Sequence, residues 1–253
     1  MALITDLRDL GYEPGFVDMG GGIPMSYLDD EDQWSGFWEA LAELPDGDDS
    51  LTWKSDRLGA TGPEASTAVY PYHQKLIRGG WLRKILEARD STTQKTVAQM
   101  LAESGIQLRC EPGRSLLDGC GLTLAEVAFT KSRSDGAPLV GLHMNRTQCR
   151  STSADFSFDP LLIPTASKRV ERERTDGFLV GAYCIEEELI LRRRFEFPRG
   201  VYKGDIVAFP NTGGYLMHII ESASHQLPLA KNLVVGSGNW TVDGIDAAGL
   251  AVR

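Results

Sequence analysis

Apolar residues recur every third or fourth position through the first part of the chain and in short extended runs through the rest. From Asp29 to Leu44, the residues Trp34, Phe37, Trp38, Leu41 and Leu44 fall on one face of a 3.6-residue period, which predicts a helix with its aromatics in the core. MALITDLRDLGY predicts a short amphipathic helix, and Trp81, Leu82, Ile85 and Leu86 begin another. STTQKTVAQMLAESG predicts a third, with Ser91 and Gln94 at capping-box spacing and Gly105 at its end. Two short strands are expected: Phe16 to Met19, breaking into three glycines, and IQLRC, delivering the chain to Glu111. LPDGDDSLTWKSDRLGATGPEAS is rich in Asp, Gly and Ser and predicts a surface insertion near 46–75.

Past residue 121 the texture becomes extended. LTLAEVAFTKS, PLVGLHMN, GFLVGAYC, EELILRRRFEF, DIVAFP, GYLMHII and NLVVG are apolar or alternating runs, separated by turn residues such as SDGAP, FPRG and PNTGG. This half is expected to be mainly β, interrupted by a polar loop, IPTASKRVERERTDG, whose charges face solvent. No internal repeat is present.

A 253-residue chain that is 42% hydrophobic can bury a substantial core. Its net charge of −9 argues against a nucleic-acid-binding surface. No apolar run approaches the roughly 20 residues of a membrane-spanning helix, and the opening residues do not read as a signal peptide. Cys110, Cys120, Cys149 and Cys184 have neither metal-ligand spacing nor the density of a disulfide framework. They are expected to be reduced thiols of a cytoplasmic protein, with no metal.

Four short stretches carry candidate chemistry. DMGGG offers consecutive backbone N–H groups without Cβ obstruction, which suits a phosphate nest at a strand end, although three glycines also make an ordinary turn. EPGRS follows the next strand and holds Glu111 and Arg114 on a turn stiffened by proline, either at a cleft or as a structural ion pair. GAYC puts Cys184 at the end of an apolar run, where an inert buried thiol is the ordinary alternative. PNTGGY sets Tyr215 after a flexible turn, where it could equally be a strand tyrosine.

Taken in order, these four stretches resemble the fold-type III, pyridoxal-phosphate-dependent decarboxylases, the superfamily of ornithine, arginine and diaminopimelate decarboxylases. The resemblance covers nearly all of residues 5–240. It implies an α/β plus all-β fold: the last two strand–helix units of a (β/α)₈ barrel in residues 1–120, then a C-terminal β-sandwich or barrel domain in 121–253. It also implies pyridoxal 5′-phosphate as cofactor, with Gly20, Gly21 and Gly22 holding its phosphate, Arg114 close to that phosphate and Tyr215 reaching it. Glu111 would pair with the pyridine nitrogen and keep it protonated, so that the ring is a strong electron sink. Racemases of this superfamily carry an arginine there, so Glu111 favours decarboxylation. Cys184 matches the residue that reprotonates the carbanion carbon, contributed across a dimer interface.

The sequence also departs from the family. An acid that binds the substrate's distal amine usually follows the cysteine, whereas here Ile185 follows, then Glu186, Glu187 and Glu188. Glu186 is the candidate to take that role, and Arg150 lies near where diaminopimelate decarboxylases carry a substrate-carboxylate arginine. The family's Schiff-base lysine and a ring-stacking histidine lie upstream of the glycine loop, yet the first of the eight lysines here is Lys54. A complete barrel needs about 250 residues, and residues 1–120 hold two units of it. The resemblance therefore implies a split L-amino-acid decarboxylase whose partner chain supplies the lysine and histidine. Met1 and the first helix fit a separate gene product, with a fragment of a longer chain as the alternative. Open sheet edges and exposed faces of Trp34, Trp38 and Trp81 are expected to leave it unstable alone. The alternative function is a non-catalytic homologue that binds and regulates a decarboxylase; the joint retention of Gly20 to Gly22, Glu111, Arg114, Cys184 and Tyr215 argues against it.

Overall fold

A computed structural model describes residues 2–151, 158–165 and 173–250, apart from the side chains of 248–250. Residues 166–172 of the expected polar loop lie outside the described residues. The chain forms α1 (Ala2–Asp9), β1 (Phe16–Asp18), α2 (Glu31–Glu43), α3 (Arg78–Glu87), α4 (Val97–Ser104) and β2 (Gln107–Arg109). Then follow β3 (Leu122–Ser132), β4 (Pro138–Leu142), β5 (Leu161–Ile163), β6 (Thr175–Val180), β7 (Phe195–Phe197) and β8 (Ile206–Pro210). A hairpin, β9 (Leu233–Val235) and β10 (Trp240–Val242), precedes α5 (Gly244–Leu250).

In the first region β1 and β2 form a two-stranded parallel sheet in the register Phe16 to Gln107, Val17 to Leu108 and Asp18 to Arg109. Among the described residues no further strand pairs with either, so a closed barrel is not part of this fold. Asp30 caps α2 by accepting from the Asp32 N–H at 2.9 Å. At the other end Arg57 donates to the carbonyls of Leu41 and Leu44, satisfying acceptors that a helix C-terminus leaves free. α4 starts later than its sequence suggests. Its capping box is Thr96 with Gln99, not Ser91 with Gln94, because Asp90 gathers the N–H groups of Thr92 and Thr93 into a turn first. Gly105 ends it in the left-handed conformation, φ +67°.

The segment near 46–75, expected at the surface, is not confined to it. Leu58, Val69 and Tyr72 are buried with Trp38 and Leu41 in one core. Trp53 N–H donates to Arg192 O at 2.9 Å and Arg194 N–H to Leu51 O at 2.8 Å, so the segment adds a short bridge to the β region. Its Asp and Gly residues make turns while its sparse apolar residues point inward, a division that composition averages away. Trp38, expected to present an open face, is therefore 1% exposed.

The second region is a six-stranded sheet in the order β5-β8-β3-β4-β6-β7. β3 pairs with β8 through Leu122 to Glu126 and with β4 from Val127 onward, across a register shift between Val127 and Phe129. That irregularity bends one strand between two neighbours and curls the sheet around its core. Val127, Val140, Phe178, Leu179, Val207 and Phe209 are fully buried. Phe129 lies over Gly141, where a Cβ would come within 2.3 Å of the ring.

One expected strand is absent and another is shorter than expected. GYLMHII is a series of turns, because Tyr215 and His218 take positive φ (68° and 62°) that a strand cannot hold. In EELILRRRFEF only Phe195–Phe197 pairs as a strand, the rest being committed to side-chain and bridge contacts. No helix is long and apolar enough to cross a membrane among the described residues.

Candidate active site

Parallel pairing puts the C-terminal ends of β1 and β2 at the same rim, so the glycine loop and the Glu-Pro-Gly-Arg turn leave side by side although some ninety residues separate them. The contact continues past the strands: Met19 N–H donates to Arg109 O at 3.0 Å and Glu111 N–H to Gly20 O at 2.8 Å. Asp18 accepts from Gly20 N–H at 2.8 Å. Gly20 and Gly22 have φ of +70° and +80°, and a Cβ on Gly21 would lie 3.0 Å from Glu111 O. Glycine is needed at all three for two reasons, backbone conformation and backbone proximity.

The opposite wall comes from the turn after β8. A Cβ on Gly113 would lie 2.3 Å from the Tyr215 hydroxyl oxygen, so this glycine is the seat of the Tyr215 ring. The Arg114 guanidinium donates to Tyr27 Oη (3.3 Å) and Gly214 O (3.1 Å), and it lies 4.5 Å above the Tyr70 ring centroid and 5.5 Å from that of Tyr215. Burial pushes the Tyr27 hydroxyl above its ordinary pKa, against the hydrogen bond and charge of Arg114, so it stays a neutral phenol beside the cation. Gln74 fixes Tyr70 by donating to its hydroxyl at 3.3 Å and to Met25 O at 2.9 Å.

The result is an open cavity of about 210 Å³ whose lining includes Gly21, Gly22, Glu111, Gly113, Arg114 and Tyr215, together with Tyr70 and Gln74. No lysine is among its lining residues. Tyr27, Tyr70 and Gln74 were not singled out by sequence reasoning; for Tyr70 and Gln74 the signal available was the closely spaced aromatic-polar string YPYHQ within the 46–75 segment.

The other expected site residues lie elsewhere. Cys184 is not at a strand end: β6 stops at Val180, and the thiol sits exposed in the following turn. Arg150 donates to Leu189 O (2.8 Å) and Ile190 O (3.2 Å), inside the β region. Glu186 pairs with Lys54, whose hydrogen bond and charge hold its carboxyl below the usual range. None of the three lines the cavity.

The cavity fits the phosphate-bearing end of pyridoxal phosphate. Gly22 lines it in the left-handed conformation, Gly21 and Gly113 sit where a Cβ has no room, and Arg114 and Glu111 line the same space, while the Gly20 N–H is taken by Asp18 Oδ1.

No family model matches the sequence. An uncharacterized protein of Sinorhizobium fredii, y4yA, is 28% identical over 235 residues, covering 92% of this chain and 48% of the relative. Among solved structures, diaminopimelate decarboxylase from Helicobacter pylori, complexed with L-lysine, superposes with a TM-score of 0.54 at 17% identity, over 95% of this chain and 44% of the other. The fold of the chain is similar to part of that decarboxylase's fold. Arginine decarboxylase of Paramecium bursaria Chlorella virus, bound to agmatine, superposes with a TM-score of 0.56 at 15% identity, over 89% of this chain and 45% of the decarboxylase. The chain thus spans about half the length of the curated relative and of the decarboxylases it matches.

Proposed function

We propose that this chain is the C-terminal half of a pyridoxal-phosphate-dependent L-amino-acid decarboxylase, completed by a partner chain that supplies the Schiff-base lysine. In this reading β1 and β2 are the last two strands of a (β/α)₈ barrel, and residues 121–253 are the β domain. One observation carries the proposal: Gly21, Gly22, Glu111, Arg114 and Tyr215 line one cavity at the rim of a parallel strand pair whose outer edges are open.

Pyridoxal phosphate, when bound, supplies an electron sink for the bonding pair left by departing carbon dioxide. Gly20 to Gly22 and Arg114 anchor the phosphate, and Tyr215 closes the cavity against it. Glu111 holds a proton on the pyridine nitrogen by charge and hydrogen bonding. Cys184 does not line this cavity, and in this reading it delivers its proton to the half-site of a second copy. The exposed Ile185 in place of the family's acid points to a substrate without an ammonium at its far end.

Two measurements test the reading. The chain alone, mixed with pyridoxal phosphate, is expected to lack the lysine Schiff-base absorption, on the order of 420 nm; its presence would show that no partner lysine is needed. Purification of the chain with its co-expressed partner, followed by assay of carbon dioxide release from a panel of L-amino acids, is expected to find at least one substrate. A stable complex that releases none would favour the regulatory homologue.

A further inference from the structure

Cys184 sits on a loop, residues 181–188, between the end of β6 and Leu189. The loop is closed by its own backbone: Gly181 N–H donates to Glu188 O and Glu188 N–H to Ile185 O, each at 3.2 Å. Val180 and Leu189 bridge its two ends. Neighbours hold it from outside, through Ala182 N–H to Met144 O (2.9 Å) and the Tyr183 hydroxyl to Ser222 O (3.0 Å).

The three glutamates that follow Ile185 face different ways. Glu186 and Glu187 are exposed and pair with Lys54 and Arg146. Glu188 turns inward and is 4% exposed, and its Oε1 accepts the Arg146 backbone N–H at 2.9 Å. The space for that carboxyl exists because residue 181 is glycine: a Cβ there would lie 2.2 Å from Oε1. Its other oxygen, Oε2, is buried without a hydrogen-bond partner among the described residues. A buried carboxyl oxygen left without a partner costs stability.

We infer that Glu188 is a positioning residue for Cys184: its carboxyl ties the loop to the backbone at Arg146 and so fixes where the exposed thiol is presented. The catalytic consequence rests on the proton-delivery reading of Cys184, but the clamp does not. Burial pushes the Glu188 carboxyl above its ordinary pKa, against the backbone N–H groups of Arg146 and Tyr183 and the charges of Arg146 and Arg150. Glutamine keeps the length of the side chain and a carbonyl oxygen that can accept the Arg146 backbone N–H.

The test uses the full chain and reads alkylation by iodoacetamide at each cysteine by peptide mass spectrometry across a pH series. Cys110 and Cys120, which are exposed and lie outside the loop, serve as controls in the same molecule. Glu188→Ala and Glu188→Asp are expected to change the Cys184 rate by about tenfold or more and to alter its pH profile, the scale on which one buried hydrogen bond acts. Glu188→Gln is expected to restore wild-type behaviour. The Asp variant keeps an acid while shortening its reach, so it carries the test even where Ala disturbs the controls. A wild-type Cys184 rate and profile in the Asp variant would overturn the clamp, as would a Gln variant as displaced as Ala. The readout involves neither cofactor nor carbon dioxide, so failure of the clamp and failure of the decarboxylase assignment are separable.

Discussion

The two regions of the molecule complete themselves to different degrees. From β3 to β8, each strand pairs within one sheet, and side chains such as Val127, Phe178 and Phe209 are removed entirely from solvent. Up to β2, by contrast, a sheet of two strands leaves Phe16 half exposed, covered on one face by Arg109 at 3.7 Å from the ring centroid. The six-stranded sheet has the makings of a self-sufficient fold. The parallel pair reads as a surface awaiting neighbours, and the cavity proposed for the cofactor lies where the incomplete region meets the complete one.

That contrast can be broken most sharply by truncating one aromatic in each region. Phe178→Ala, which also removes the edge contact to Trp53 at 5.1 Å, is expected to cost about 3–5 kcal/mol in urea denaturation of the chain. Phe16→Ala is expected to cost less than about 0.5 kcal/mol. Equal losses would mean that the parallel pair is as much a part of the folded core as the β sheet.

Next in size is a change at the junction. Gly113→Ala drives a Cβ into the Tyr215 ring and is expected to weaken pyridoxal phosphate binding by about tenfold, or 1.4 kcal/mol, in calorimetric titration. Gly62→Ala, where nothing lies within 4 Å, is the matched control and is expected to bind as wild type. Equal binding by both would detach Tyr215 from the cavity's function.

A smaller effect separates the true helix start from the expected one. Thr96→Ala is expected to cost about 1 kcal/mol through loss of the capping box. Ser91→Ala is expected to cost less than about 0.5 kcal/mol in the same denaturation experiment.

The smallest effect is a pH dependence in the C-terminal hairpin. His218 Nδ1 lies 2.5 Å from Glu221 Oε2 and Nε2 2.7 Å from Asn232 Oδ1, and both ring nitrogens donate when the imidazole is protonated. Burial opposes protonation of His218, but these hydrogen bonds and the Glu221 charge outweigh it and raise its pKa. The stabilisation is then fully present below the unfolded value of about 6.5 and is lost as pH rises through the higher folded value. Glu221 shows the opposite sign: burial raises its pKa, but the Ala230 N–H, His218 and Gln148 lower it on balance. Its contribution is present above the unfolded value of about 4.3 and is lost as pH falls through the folded one. Hydrogen exchange of residues 233–242, corrected for intrinsic rates, is expected to speed up above neutral pH, and His218→Phe to remove that dependence. Protection that does not change with pH in the wild type would remove the ion pair from the account.

What was legible in the sequence was mostly local. A triple glycine after a short strand, a proline-stiffened turn and the helical face of Trp34 to Leu44 each declare their geometry within a few residues. That Gly20 and Glu111 touch follows from strand pairing, which the motif order implied through resemblance and the register made concrete. What stayed hidden depended on distant partners. The 46–75 segment looked polar on average, yet Leu58, Val69 and Tyr72 point inward, and the chain just beyond them contributes Gln74 to the cavity. GYLMHII has the hydropathy of a strand, but the seat offered by Gly113 turns Tyr215 into positive φ instead. The inward turn of Glu188 is set by the absence of a side chain at Gly181, which no periodicity reports.

Tyr215 resting on Gly113 also works as a mechanical stop between the regions. Nearby backbone bonds run in the same direction across the junction, from Gly213 N–H to Cys120 O (2.8 Å) and from Thr212 N–H to Gly121 O (3.2 Å). A hinge movement of the sheet away from β1 and β2 lifts the ring from its seat and widens the cavity on that side. Whatever braces the sheet from outside would therefore set the width of the cavity without touching it.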